Sequence, residues 1–107
     1  MPEAGWTRVA SVSDVAEGQM HAVRVGEREI ALYHLPDGTF HATDNICSHE
    51  YAQLTDGWLE GDIIECPLHA GQFNVRNGQG QGAPIDTDLR TFEVRVEDGE
   101  ILIALPD

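Results

Sequence analysis

The sequence contains no lysine and only two cysteines among its 107 residues. The six basic residues, all arginine, face 19 aspartates and glutamates, and the formal net charge is -13. Such a chain repels the phosphates of nucleic acid and of anionic membranes, and a basic patch on another protein attracts it. Acidity also keeps a small protein in solution, which is the simpler explanation. Either way, the charge argues against nucleic acid and membrane as partners.

Long apolar runs are also missing. No stretch approaches the roughly 20 apolar residues that a bilayer-spanning helix needs. The amino terminus, "MPEAGWTRVA", lacks the basic and then apolar pattern of a signal peptide. We therefore expect a cytoplasmic protein of one domain. In that reducing compartment the two cysteines are expected to be thiols or metal ligands rather than a disulfide.

Both ends of the chain have the residue patterns of short β-strands. Six runs have this character: 6–10, 20–26, 28–35, 40–43, 91–96 and 100–105. Gly26-Glu27, the "PDGT" at 36–39 and Asp98-Gly99 separate them as hairpin turns. Run 91–96 alternates, which predicts one strand with Phe92, Val94 and Val96 on one face. The sequence therefore predicts an all-β protein.

The middle of the chain, from about 44 to 84, has a different composition. It is rich in glycine and has only short apolar runs, such as "DIIE" at 62–65. A segment of this length without regular structure is uncommon inside a small domain. We therefore expect a bound metal to hold it in place.

Four potential metal ligands lie in this middle segment. They follow the pattern C-x-H, then sixteen residues, then C-x-x-H, and are Cys47, His49, Cys66 and His69. A cysteine alone is most often a small buried hydrophobe, and a histidine alone is most often a surface or core residue. Two close Cys/His pairs in one loop-rich segment favour a metal site instead. His21, His34 and His41 lie on predicted strands without such a partner and are interpreted as structural or surface residues.

The two Cys/His pairs are compatible with more than one kind of metal site. Cys₂His₂ sites hold structural zinc, but in the familiar zinc finger both cysteines precede both histidines, which lie on a helix. Here each pair mixes Cys with His, and no helical period surrounds either. Mixed pairs also suit two neighbouring irons, since one loop can then reach both. A Rieske [2Fe–2S] centre has this ligand set, with His₂ replacing Cys₂ on one iron.

The motifs "CSH" at 47–49 and "CPLHAGQF" at 66–73 closely resemble those of the small Rieske ferredoxins of bacterial aromatic-ring-hydroxylating dioxygenase systems. The resemblance covers nearly the whole chain, including "DGWLEGDIIECPLH", "GQFNVRNGQ", the proline of "GAPI" and "TFEVRVEDGEILI". It implies that Cys47 and Cys66 bind one iron, and that His49 and His69 bind the other. It also implies one Rieske domain over residues 1–107. In that fold an antiparallel β-sandwich or barrel base (1–43 and 85–107) carries an inserted loop-rich cluster-binding subdomain (about 44–84).

The function implied by the resemblance is one-electron transfer. Such ferredoxins take electrons from a flavin-dependent ferredoxin reductase and pass them to a terminal oxygenase, and we expect a monomer without catalytic residues. Rieske oxygenases add a catalytic domain, for which 107 residues leave no room. The Rieske-like small subunit of assimilatory nitrite reductase is an alternative. Members of that group often lack the ligands that are all present here.

The ligands and their surroundings also predict the reduction potential. Two ferric ions, two sulfides and two thiolates sum to zero charge with neutral imidazoles, whereas a cluster with four thiolates has a charge of minus two. The neutral cluster with histidine ligands therefore accepts an electron more easily. High-potential Rieske proteins add a disulfide and two hydroxyl donors, where this chain has Gly71 and Phe73. We therefore expect the lower part of the Rieske range of about −150 to +300 mV. Trp58 and Phe73 are expected to be packing residues, and Pro67 and Pro84 to rigidify the loops.

Overall fold

Short antiparallel strands make up most of the computed structural model, which describes residues 5–46, 53–67, 71–81 and 88–104. The strands are β1 (Trp6–Ser11), β2 (Met20–Val25), β3 (Arg28–His34), β4 (Phe40–Asp44), β5 (Trp58–Glu60), β6 (Ile63–Glu65), β7 (Gln72–Asn74), β8 (Thr91–Phe92), β9 (Val94–Glu97) and β10 (Glu100–Ala104). Two single-turn 3₁₀ helices lie at Val12–Asp14 and Leu54–Asp56. Within these ranges no helix is long and apolar enough to cross a membrane.

The strands form three sheets, with orders β1-β10-β9, β2-β3-β4-β8 and β5-β6-β7. All their pairings are antiparallel. Side chains of the first two sheets share one core, which includes Ala10, Ile30, Leu32, Ile101 and Ile103. The predicted all-β class is confirmed, and the two larger sheets pack as a sandwich.

Strand β3 is the centre of the molecule because both of its faces are buried. Ile30 and Leu32 belong to the core shared with β1 and β10. Ala31 and Tyr33 point to the other side, into a second core that also contains Phe73 of β7. The uninterrupted apolar run of β3 therefore joins the sandwich to the third sheet.

The predicted hairpins are present. The Gly26-Glu27 turn joins β2 to β3, with Gly26 at φ 64°, and Val25 pairs with Arg28. Asp98 and Gly99 join β9 to β10 with φ values of 51° and 78°. Positive φ at both central residues is the signature of a type I′ turn, which matches the twist of the flanking strands.

The prediction of one strand over residues 91–96 was wrong. The run divides at Glu93 into β8, which pairs with β4, and β9, which pairs with β10. Phe92 is therefore buried in the core, whereas Val96 is 46% exposed. Alternation along the chain cannot show that a strand changes sheets, because each half keeps its own period of two.

The middle segment contains more regular structure than its composition indicates. Strands β5, β6 and β7 form a sheet of three-residue strands, which is too short for a clear periodic signal. Leu59, Ile64 and Phe73 of this sheet face the second core, together with Leu54 and Val75. A packed apolar face, in addition to any metal, therefore holds this part of the segment.

Candidate metal centre

Cys66 follows the last residue of β6 and is fully buried. Its backbone N–H donates to the carbonyl oxygen of Gly71 at 2.6 Å, which closes the base of the loop at 67–70. Its side chain belongs to the second core, with Ile64 and Phe73. The other three predicted ligands, Cys47, His49 and His69, lie outside the described residues. The structure therefore locates one of the four predicted ligands and the residues that flank both predicted ligand segments.

The described residues on either side of 47–52, the first predicted ligand segment, lie next to each other. Ile46 and Gln53 form an isolated antiparallel bridge across its base. Asn45 accepts a hydrogen bond from the Leu54 N–H at its backbone oxygen, at 2.7 Å. Its side-chain Oδ1 accepts another from the Thr55 N–H, at 2.9 Å. Asn45 thereby ties the end of β4 to the 3₁₀ turn that follows the loop.

Gly57 brings the bases of the two loops together. It ends the 3₁₀ turn that follows the first loop, and its backbone lies against the carbonyl group of Glu65, the residue before Cys66. A Cβ atom at this position would overlap the Glu65 carbonyl oxygen and lie 3.2 Å from the carbonyl oxygen of Leu54. The close approach therefore requires glycine, and it holds the 3₁₀ turn after residue 53 against the end of β6.

The opposite end is held by Arg76. Its guanidinium group bonds to Asp37, in the β3–β4 turn, at 2.6 Å and to Asp62, in the β5–β6 turn, at 3.3 Å. The hydrogen bond from the Thr39 hydroxyl, with a further bond from Arg76, holds the pKa of Asp37 well below its usual range. These exposed ion pairs align the third sheet with β3 and β4.

Two of the remaining histidines, His34 and His41, make contacts within the fold. His34 Nδ1 lies 2.8 Å from the Val15 carbonyl oxygen, and its ring stacks on Phe40 at 4.1 Å. His41 Nε2 contacts the Thr39 hydroxyl at 2.9 Å, and burial lowers its pKa. In the described ranges, no three His, Cys, Asp or Glu side chains lie close enough to hold a metal ion.

Two aromatic residues near the loops differ from each other. Phe73 is fully buried and packs as predicted. As a phenylalanine, it has no hydroxyl group to donate. The same prediction for Trp58 was wrong, because Trp58 is 60% exposed. It pairs with Glu65 on the outer face of the third sheet, beside the Cys66 strand end. Residue type alone favours burial of tryptophan, and the short β5 gives no alternation to correct this.

The donor set fits a [2Fe–2S] cluster. A metal-binding cysteine must be a thiolate, and a thiolate in an apolar core needs a nearby positive charge. Cys66 is fully buried, and iron bound to its sulfur would supply that positive charge. Two thiols and two imidazoles are the ligands of a Rieske centre.

Comparison with known proteins agrees with this chemistry. The model of the Rieske [2Fe-2S] domain matches residues 5–93. The chain therefore belongs to the Rieske [2Fe–2S] family, and its cofactor is a Rieske-type cluster, as predicted.

Within the family, the relatives that match over nearly the full length of both chains include ferredoxins. The ferredoxin component of the naphthalene 1,2-dioxygenase system of Pseudomonas putida is 41% identical over 100 residues, 94% of this chain and 95% of that protein. The solved ferredoxin of Sphingomonas yanoikuyae B1 is 38% identical with a TM-score of 0.88, over 94% of this chain and 98% of that one. The ferredoxin-sized chain in a complex of reduced oxygenase and oxidized ferredoxin in carbazole 1,9a-dioxygenase is 41% identical, with a TM-score of 0.87, over 95% and 94%.

These relatives make the chain a ferredoxin, a carrier of electrons rather than an enzyme. The alternative, the small subunit of a nitrite reductase, has weaker support. A nitrite reductase small subunit from Mycobacterium tuberculosis is 23% identical to this chain, so that likeness extends to the fold alone.

Proposed function

We propose that this ferredoxin takes electrons from a flavin-dependent reductase and delivers them to the terminal Rieske oxygenase of an aromatic-ring-hydroxylating dioxygenase system. The observation that carries the proposal is the likeness over almost the full length to ferredoxin components of such systems. The carbazole relative, seen with its oxygenase, supports the same partner class. The chain acts as a monomer in the cytoplasm.

The ligands are Cys47 and Cys66 on one iron and His49 and His69 on the other. Support comes from Cys66, whose sulfur lies buried at the point where both loop bases meet. When bound, the cluster supplies a one-electron couple. The two neutral imidazoles lower its negative charge, and the thiol of Cys66 is kept from water by Leu54, Ile64 and Phe73.

The chain divides into a base, 1–43 and 85–107, and a cluster-binding subdomain, about 44–84. The sheet of β5–β7 and its apolar face support this division, because they pack on β3 through a core separate from that of the sandwich. The subdomain is attached at both ends, by Asn45 near the loops and by Arg76 at the far side.

Electrons leave through His49 or His69 when the loop end docks on a partner. The net charge of -13 favours a basic partner surface. Glu27 is exposed in the β2–β3 turn, and the neighbouring Glu29 carbonyl accepts the Asn45 N–H at 3.0 Å. The β2–β3 turn therefore lies near the loop end. Its exposed Glu27, which stands between Arg24 and Arg28, is one of the carboxylates that meet a basic partner surface there.

Purification and reconstitution test the proposal together. The protein should be red-brown and hold two irons and two acid-labile sulfides per chain. It should be reduced by NADH through a flavin reductase of a naphthalene dioxygenase system and reoxidised by the terminal oxygenase in the presence of substrate. A colourless protein that contains zinc would contradict the ligand assignment, and an iron–sulfur protein that exchanges electrons with neither partner would contradict the partner assignment.

A further inference from the structure

The side chain of Asn45 has a buried donor without an acceptor. Asn45 is 1% exposed at the end of β4, two residues before Cys47. Its Oδ1 accepts the Thr55 N–H at 2.9 Å. Its Nδ2 group has no hydrogen-bond partner in the part of the chain that the structure describes. Leaving such a group unsatisfied costs about 1–3 kcal/mol, so an acceptor absent from these residues is expected.

The orientation of the amide group is fixed by its neighbours. If Oδ1 and Nδ2 exchanged places, an NH₂ group would face the Thr55 N–H, and two donors would oppose each other. The backbone of Asn45 is held as well, since its N–H donates to Glu29 at 3.0 Å and its oxygen accepts from Leu54 at 2.7 Å. The amide therefore has no freedom to turn its NH₂ group toward water.

We propose that Asn45 Nδ2 donates a hydrogen bond to a sulfur of the metal centre. The proposal rests on the ligand assignment made above. Thiolates and sulfides are the acceptors that a [2Fe–2S] centre adds to this protein, and Asn45 lies two residues before Cys47 in the sequence. Asn45 is thus a positioning residue that fixes the loop base and polarises a sulfur.

The consequence is a higher reduction potential. A hydrogen bond to sulfur stabilises the reduced centre more than the oxidised one, because reduction adds negative charge to the sulfurs. Gly71 and Phe73 carry no hydroxyl to perform this role. High-potential Rieske proteins have two hydroxyl donors that this chain lacks, and Asn45 then supplies a different side-chain donor.

The direct test is pulsed electron paramagnetic resonance on the reduced holoprotein, labelled with ¹⁵N only in asparagine side chains. The sequence has three asparagines, Asn45, Asn74 and Asn77. We expect a ¹⁵N coupling to the cluster that disappears in Asn45→Ala and persists in Asn77→Ala. Asn77 is the matched control, because its Oδ1 also accepts a backbone N–H, from Gln79 at 2.9 Å, but the residue is exposed. The midpoint potential should fall in Asn45→Ala and stay unchanged in Asn77→Ala.

A wild-type spectrum without any asparagine coupling would overturn the proposal, even if Asn45→Ala fails to keep its cluster. An unchanged potential in a folded Asn45→Ala protein would overturn the predicted role in tuning. The histidine ¹⁴N couplings of the same spectrum report the ligand assignment separately. Their presence without an asparagine signal would leave the ferredoxin intact and reject only this inference.

Discussion

The substitution Gly57→Ala probes the contact between the 3₁₀ turn and the end of β6, next to Cys66. Gly57 has φ −94°, so it does not occupy the left-handed region that favours glycine. The added Cβ would instead overlap the carbonyl oxygen of Glu65, inside the 3.0 Å limit that real Cβ atoms keep. The 3₁₀ turn and the end of β6 must then separate by about 1 Å, because neither backbone can move aside like a side chain.

The expected cost is that of overpacking, about 1–3 kcal/mol. For a domain near 100 residues, 1 kcal/mol lowers the melting temperature by about 4–8 °C. The melting temperature should therefore fall by roughly 5–20 °C. The separation also displaces Cys66 from the first loop, so iron and sulfide should be lost faster on dilution or mild heating.

Gly61→Ala is the matched control in the same sheet. Gly61 has φ 60°, and a Cβ there would meet nothing within 4 Å. Alanine at this position costs about 1–2 kcal/mol from its left-handed backbone alone, and the cluster should remain. Visible circular dichroism, iron analysis and thermal unfolding measure both variants. If Gly57→Ala keeps its cluster as long as Gly61→Ala does, the loop bases do not depend on this contact.

Three further predictions concern burial, ligation and docking. Burial raises the pKa of Tyr33, so in the Tyr51→Phe protein the absorbance at 295 nm should show no tyrosinate below about pH 11. The free energy of unfolding should fall above about pH 10, because there Tyr33 ionises only in the unfolded chain. The substitution Tyr33→Phe should remove this pH dependence. Replacing both His49 and His69 by cysteine should lower the midpoint potential toward about −400 mV if a cluster assembles; an unchanged potential would contradict histidine ligation. Glu27→Gln should slow association with a partner about 1.5- to 5-fold at low salt. Glu17→Gln makes the same charge change at an exposed site near the other end of β3 and should not slow it. Stopped-flow association rates that are equal for both variants, or unaffected by salt, would reject steering.

Local signals in the sequence predicted much of the sandwich. Gly26 and the Asp98-Gly99 pair are read correctly because the turn chemistry depends on these residues alone. The division of 91–96 at Glu93 was not predictable from alternation, since the choice of sheet depends on which distant strand offers an edge. Strands β5–β7 were not predicted for a different reason, because three residues are too few to establish a period.

The predicted ligands have a signal in the sequence, and the residues that support the loop bases have none. The mixed Cys/His pairs stand out in the sequence, because spacing and residue type identify metal sites directly. Asn45 and Gly57 gave no such signal. Their importance arises from tertiary proximity, to the 3₁₀ turn in one case and to Glu65 in the other, which the sequence does not encode locally.

The outward position of Trp58 has the same cause. Its neighbour in sequence, Leu59, faces the core, and the pairing with Glu65 turns Trp58 to the outside. Composition predicts burial for a tryptophan, but a sheet that is covered on one side leaves every second residue in solvent.

A redox titration of the purified holoprotein, followed by visible spectra, tests the central claim most directly. One electron per chain should enter at a midpoint in the lower part of the Rieske range, between about −150 and +100 mV. A midpoint near −400 mV would indicate all-cysteine ligation of the plant type. A value above about +100 mV would contradict the absence of hydroxyl donors as the cause of a low potential.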